Sequence, residues 1–279
     1  MSYGIPYRGS KNEIANDLIS ILPASEVFID MFGGGASMMH KAILSNKYKK
    51  CIYNDLSKDI YLTVKSLSNN DFTRIDHFIG RKEFYSSTDL FIRTIFSFKN
   101  NRVDYFCSKE KEKYQKLMFN CYVLDDWKEA KSLYGKNYKL EIAHIEKKYR
   151  FHVAGQINRL LIFQKDLQCT GIPISLFNTC YDKVTIPKNS LIYCDPPYIG
   201  TSITGYAKNK FDYDKFYEWA LAQKNIYISE YTMPNDFIPI FTKNKRSKMV
   251  SDNSKIVIEK LFVPRLNYDE ATQGIGLFK

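Results

Sequence analysis

Residues 191–200 read LIYCDPPYIG, and the fold turns on how that stretch is taken. Four residues of buried-strand character, Leu191 to Cys194, run straight into Asp195, Pro196, Pro197 and Tyr198. Proline removes a ladder donor and fixes φ, and the residue before it is held extended, so a strand stops here. Asp195 therefore stands at the carboxyl end of a strand, two prolines stiffen the exit, and Tyr198 follows. In an open α/β sheet that edge is where ligands bind. A turn that merely closes a core strand is the other reading. Alternation along the strand puts Cys194 on the face opposite Asp195, as a core thiol.

Working upstream, the same grammar recurs. In EVFIDMFGGGASMMHKAIL (26–44) a strand from Val27 to Asp30 runs into a glycine turn and then a helix from about Ala36. In KCIYNDLSKDIYLTVKSL (50–67) a strand to Tyr53 ends in polar Asn54 and Asp55, again with a helix behind it. Ahead of both, NEIANDLISIL (12–22) spaces Ile14, Leu18 and Ile21 or Leu22 as a helix that Pro23 stops. Strand and helix in alternation argue for a parallel sheet of βαβ units.

Gly33, Gly34 and Gly35 let the backbone pass close to a ligand, although a plain tight turn needs them equally. No glycine stands three residues after Gly35, so this is not the G-x-G-x-x-G of a pyrophosphate binder. Asp55, twenty residues past Gly35 at the end of the next strand, is placed to accept hydrogen bonds from both ribose hydroxyls. The two together suggest a nucleoside-bearing cofactor without a diphosphate.

Near residue 68 the character changes. From 71 to 150 there are 17 Lys and Arg against 12 Asp and Glu, with many aromatics, helical stretches such as KEKYQKLMFNCYVL (111–124) and no βα rhythm. We read 68–150 as an inserted lobe between 1–67 and 151–279. VAGQINRLLIFQKDLQ (153–168) is a helix or a transition, and the βα rhythm returns from Ser190. NIYISEYTMP (225–234) is a further strand, with Glu230 at its end as a pocket border, a cap or a salt-bridge partner. NSKIVIEKLFVP (253–264) reads as a strand, half of a terminal hairpin.

The whole chain of 279 residues carries 41 basic and 30 acidic side chains, formally +11, which suits a polyanionic partner, with solubility as the competing purpose. The N-terminus lacks the apolar core of a signal peptide, and no run is long enough to span a bilayer. Six cysteines without a C-x-x-C pair, and histidines at 40, 77, 144 and 152 without metal spacing, point to a reduced, cytosolic, metal-free protein.

The order FGGGAS (32–37), NDLS (54–57), a recognition region and DPPY (195–198) resembles the amino-group DNA methyltransferases that use S-adenosylmethionine, in the order of the Dam-like N6-adenine group. IPYRGSK (5–11) resembles that group's cofactor motif of an aromatic, a small linker and a lysine. The resemblance implies an α/β fold: a Rossmann-like methyltransferase sheet with a mostly helical inserted target-recognition lobe. It implies methyl transfer to the N6 amino group of a flipped adenine in double-stranded DNA, in the cytoplasm of a bacterial or phage-infected cell. No membrane and no metal are needed, and a monomer suffices. Cytosine N4 as target, RNA as substrate, and a DNA-binding homologue that no longer catalyses are the alternatives.

By the same resemblance Tyr7, Lys11, Asp30, Phe32, Gly33, Gly34, Gly35 and Asp55 contact the cofactor, and Asp195 faces both cofactor and amine. On spacing alone Tyr7 reads as a surface aromatic and Lys11 as a solvated charge. Chemistry supports the transfer. The adenine amine is a poor nucleophile because its lone pair is delocalised. A carboxylate at Asp195 and the Pro196 carbonyl, fixed by Pro196 and Pro197, would accept its hydrogens and localise that pair. Tyr198 would stack on the extruded base.

The recognition region lacks the Asn-Arg, Phe-Asn and Val-Pro-aromatic series of the GATC readers, and is closer to phage-type members. Arg93, Lys99, Asn100, Asn101 and Arg102 are its candidate DNA contacts, against a solvated helix face. Lys243, Lys245, Arg246 and Lys248 form a second basic patch, either a phosphate clamp or a solvated hairpin turn.

Overall fold

The computed structural model describes residues 2–7, 9–72, 75–198, 211–246 and 256–269, with backbone alone for 245, 246, 256 and 257. Seven strands form one sheet: β1 (Ser25–Asp30), β2 (Tyr48–Asn54), β3 (Ile174–Phe177), β4 (Ser190–Cys194), β5 (Ile226–Glu230), β6 (Phe237–Arg246) and β7 (Ile256–Pro264). Their order across the sheet is β3-β2-β1-β4-β5-β7-β6. The first five run parallel, and β7 lies antiparallel to both β5 and β6. This is an open α/β, Rossmann-like sheet, and β6 with β7 is the hairpin that the C-terminal pattern announces.

The helices are α1 (Ala15–Ile21), α2 (Ser37–Ile43), α3 (Lys58–Ser68), α4 (Arg81–Ser86), α5 (Leu90–Ile95), α6 (Lys109–Tyr122), α7 (Lys128–Tyr134), α8 (Tyr138–Tyr149), α9 (Val153–Cys169) and α10 (Tyr213–Leu221). The chain divides into two compact units, Lys11–Tyr61 with Thr170–Lys279, and Met1–Ser10 with Leu62–Cys169.

The first unit holds the sheet. Val27, Ile29, Ile52, Ile192, Cys194, Ile226 and Ile228 alternate onto one face and pack with Phe216 and Ala220 of α10. Fully burying each such side chain is worth about 1.5–3 kcal/mol, so this period-two pattern, not local propensity, sets the register. Cys194 is among them, as strand alternation requires. On the other face Phe28 meets Tyr48 and Tyr193 at centroid distances of 4.9 and 6.4 Å. β6 is an edge strand, and Pro239 sits at its irregularity, where a missing ladder donor does no harm. Short β3 has no counterpart in the sequence reading. Only four residues long and none of them fully buried, it lacks the apolar run that marks β1 and β4.

The second unit is helical. Leu117, Met118 and Cys121 of α6 pack with Ala130 of α7 and Ile142 of α8, ringed by Trp127, Tyr138 and Tyr149. This unit exceeds 68–150 at both ends, because α9 and residues 1–10 belong to it. Val153, Ile157, Leu160, Phe163 and Leu167 give α9 a buried stripe. Arg159 on the same helix donates from Nε to the Gly4 carbonyl at 2.8 Å and from Nη2 to the Tyr3 carbonyl.

Candidate active site

The strand order reverses between β1 and β4. From there β1, β2 and β3 step to one side and β4 and β5 to the other, so the carboxyl ends of β1 and β4 flank the crevice where an open sheet takes its ligand. Asp30 closes β1 and Asp195 follows β4. The sequence places both acids at that one point of the sheet.

The glycine turn after β1 is held by hydrogen bonds from every side. Gly33 N donates to the Asn54 carbonyl at 2.8 Å, and Ala36 N to the Gly33 carbonyl at 2.7 Å. The Tyr53 hydroxyl donates to the Gly34 carbonyl at 2.8 Å. A Cβ on Gly33 would stand 2.1 Å from a Tyr53 ring carbon, and Gly34 has φ +47°, so neither position accepts a side chain without strain. Asp30 Oδ2 accepts from Met39 N at 3.0 Å, capping the first turn of α2.

Asp55 differs from the open ribose acceptor that its spacing suggests. It is 1% exposed, its Oδ2 accepts from Gly34 N at 2.8 Å, and its Oδ1 accepts from Ser57 N at 2.7 Å. It anchors the glycine turn. Phe32 is likewise committed, packed against Tyr181, Phe211 and Phe216 at 5.6–5.8 Å.

Around Asp195 the structure brings together residues far apart in sequence. Lys11 Nζ lies 2.6 Å from Asp195 Oδ1 and 3.3 Å from Glu259 Oε1, and 4.6 Å from the centre of the Tyr198 ring. The Tyr198 hydroxyl donates to Glu259 Oε1. Tyr231 meets the Tyr198 ring edge-on at 4.6 Å. Lys11 is 5% exposed, which replaces the solvated charge that spacing alone suggests. Tyr198 is buried too, so in this conformation its ring is turned inward, not presented beyond the strand. The Pro197 carbonyl accepts from the Tyr213 hydroxyl at 2.9 Å. Glu230, at the end of β5, is buried and accepts from its neighbour Tyr231 N at 2.7 Å.

Electrostatics follow from this burial. Burial alone would push the Lys11 ammonium down, but Asp195 and Glu259 outweigh it and hold Lys11 above its ordinary value. Burial pushes the Asp30 carboxyl up to about 7, with Asp195 and Asp55 adding to it against the opposing Met39 hydrogen bond and Lys11. Burial, then Asp195 and Glu259, hold the Tyr198 hydroxyl well above its ordinary range.

Sequence reasoning missed Glu259 and Tyr231. For Glu259 a signal existed: it falls in phase with Leu261 and Val263, both fully buried, so a strand that alternates correctly carries a carboxylate into its own apolar face.

The remaining predicted residues make contacts of their own. Tyr7 is half-buried in the second unit. In the lobe, Ser97 pairs with Tyr105 across a tight turn in which Lys99, Asn100 and Arg102 all adopt positive φ. Asn101 Oδ1 accepts from Val103 N and Asp104 N, both at 2.9 Å, and Asn100 Nδ2 donates to the Thr94 carbonyl at 3.0 Å. Arg93 donates to the Arg102 carbonyl at 2.8 Å and lies on the Phe84 ring at 4.5 Å. Arg93, Asn100 and Asn101 thus build the turn, a structural use that the sequence reading did not foresee. Lys243 pairs with Asp17. Lys245 and Arg246 end β6, and Lys248 lies outside the described residues. Among the described residues no group of His, Cys, Asp and Glu could hold a metal ion, and no helix is long and apolar enough to cross a membrane.

An open α/β sheet whose switch point carries acids from two strand ends defines a ligand-binding site at its carboxyl edge. The sequence profile described as D12 class N6 adenine-specific DNA methyltransferase matches residues 7–260, and the chain belongs to that family. It is an adenine-specific DNA methyltransferase, so its substrate is DNA and its chemistry depends on S-adenosylmethionine. No curated protein matches the sequence significantly. Among solved structures the chain is similar to a Haemophilus influenzae protein described as a methylase, at 13% identity and TM-score 0.35, over 93% of this chain and 90% of that one. It is also similar to two structures of the rRNA methyltransferase aviRa from Streptomyces viridochromogenes, at 8% and 11% identity and TM-score 0.39, over 95% of this chain and 89% of the other. At such scores these likenesses add nothing to the family assignment.

Proposed function

We propose that this enzyme methylates adenine within a short specific sequence of double-stranded DNA, with Asp195, Pro196, Pro197 and Tyr198 as the catalytic exit. The observation that carries the reading is Asp195 itself, set beside the β1–β4 switch point and held at 2.6 Å by a buried lysine. A carboxylate so fixed is preorganised to accept a hydrogen bond from the target amine and to take up the positive charge that develops there.

The donor set suits S-adenosylmethionine. Asp30, Asp55 and Asp195 crowd the carboxyl edge closely enough for Asp195 and Asp55 to raise the Asp30 carboxyl, with Lys11 as a counter-charge. A cationic ligand relieves that crowding. Bound there, the cofactor supplies an electrophilic methyl group on a sulfonium. Asp30, Lys11 and the Gly33–Gly35 turn would hold it, with Asp55 fixing the turn and Phe32 its flank. The Pro196 carbonyl accepts the second amine hydrogen, and Tyr198 offers its ring to the extruded base.

For DNA, the turn at 97–105 is the favoured contact. Phe98 and Val103 stand 50% and 62% exposed on it beside Lys99 and Arg102, while Arg93, Asn100 and Asn101 give it a fixed shape. Lys243, Lys245 and Arg246 on β6 serve as phosphate contacts.

Expression in a host that lacks adenine methylation, followed by sequencing that reports modified bases by position, tests the reading. N6-methyladenine confined to one short context is expected. Unmodified DNA from cells that make folded, cofactor-binding protein would overturn it.

A further inference from the structure

One buried charge at the site has no part in the chemistry above. Glu259, on β7, is 1% exposed, and a single oxygen, Oε1, serves two partners. The Tyr198 hydroxyl donates to it, and the Lys11 ammonium stands 3.3 Å away. Taking a carboxylate out of water costs several kcal/mol unless it is well paired, and a strand position flanked by Leu261 could be filled by an apolar side chain at no such cost. Both partners belong to the Asp-Pro-Pro-Tyr exit: Tyr198 is its last residue, and Lys11 holds Asp195 at 2.6 Å. One oxygen on the antiparallel hairpin therefore fixes the tilt of the ring and the cation that fixes the carboxylate.

The charge count matters as much as the geometry. Lys11 is shared between two carboxylates, Asp195 and Glu259. Without Glu259, the Lys11 charge would act on Asp195 undivided. Asp195 would then attract a developing positive charge on the amine less strongly, and the Tyr198 hydroxyl would lose its acceptor.

We propose that Glu259 is a positioning residue for methyl transfer, acting through Tyr198 and through the share of Lys11 that it takes from Asp195. This rests on Asp195 and Tyr198 being catalytic. Glu259 touches neither base nor methyl group, so its removal slows the transfer step far more than it weakens the binding of cofactor or DNA.

The test is a double-mutant cycle of Glu259→Gln and Tyr198→Phe, read by single-turnover transfer of labelled methyl from S-adenosylmethionine to DNA of a host lacking adenine methylation. Affinity for both ligands and the thermal midpoint are measured alongside. Glu259→Gln is expected to slow transfer at least tenfold, with both affinities within threefold of wild type and the midpoint within a few degrees. The double variant is expected to be no more than about twofold slower than the slower single one, because the two changes cut one linkage. Transfer by Glu259→Gln within twofold of wild type overturns the proposal, as do losses that simply multiply in the double variant or a loss accounted for by weaker cofactor binding. Should Glu259→Gln fail to fold, Tyr198→Phe decides alone: it must slow transfer at unchanged affinity, and a wild-type rate overturns the linkage. Wild-type protein that methylates no adenine would sink the functional reading. An active wild type with an indifferent Glu259→Gln would sink only the role of Glu259.

Discussion

Asp195 is the residue on which the chemistry depends, and its replacement is the most direct probe. Asp195→Ala leaves Lys11 paired with Glu259, so the fold persists, and turnover should fall by about 10²–10³ or more, the range for loss of one preorganised polar group. A steady-state methylation assay that returned near-native turnover would remove Asp195 from the mechanism. Lys11 poses the opposite case. Lys11→Met strands the buried Glu259 carboxylate beside a part-buried Asp195, and losing the partner of a buried charge costs up to about 3–5 kcal/mol. Urea unfolding should show that loss as a lower midpoint at unchanged slope. Asp30 makes a pH prediction. Its carboxyl is raised from 3.8 to about 7 by burial, so the folded state holds a proton that the unfolded chain releases. Its contribution to stability is thus complete below pH 4 and is lost as pH rises toward 7, at about 1.4 kcal/mol for each pH step of one. Asp30→Asn keeps an acceptor for Met39 N and does not titrate. The wild type's stability relative to Asp30→Asn, measured without cofactor, should therefore decline between pH 4 and 7; parallel curves would refute the buried proton.

Among the elements, the β1–α2 turn shows how a motif is built twice over. Its glycines were legible as a turn, but spacing could not tell whether they make room for a ligand or for the protein itself. At Gly33 the neighbour is Tyr53, whose ring fills the space of a Cβ. Gly33→Ala should destabilise by about 1–3 kcal/mol through overpacking, and Tyr53→Leu in the same chain should recover part of it. Thermal unfolding of the single and double variants decides. Equal losses in both would mean that backbone strain, not the ring, excludes alanine. The strands β1, β2, β4 and β5 were readable because buried parallel strands are apolar runs that end in polar residues or proline. Edge strand β3 was not, because nothing in three half-buried residues and an exposed Phe177 separates a strand from a loop. At the tip of the lobe the sequence does not show that Arg93, Asn100 and Asn101 hydrogen-bond within the turn that carries them.

For the whole molecule, the excess of 41 basic over 30 acidic side chains belongs with a DNA substrate. Affinity for duplex DNA should fall steeply with salt, since each phosphate neutralised contributes close to one unit to the log–log slope. Fluorescence anisotropy across a salt series reads it, and a flat response would assign the charge to solubility. What the sequence determined by itself is the alternation of strand and helix, the acid at or just past the ends of β1, β2, β4 and β5, the stiff Asp-Pro-Pro-Tyr exit and the order of motifs. Each is written in local spacing, through period-two burial and the φ restriction of proline. What only the tertiary structure decided is who meets Asp195. Lys11, Tyr198 and Glu259 lie as much as 248 residues apart in sequence and converge because β7 runs back antiparallel beside β5. Their charges count as a group only once burial removes the water between them.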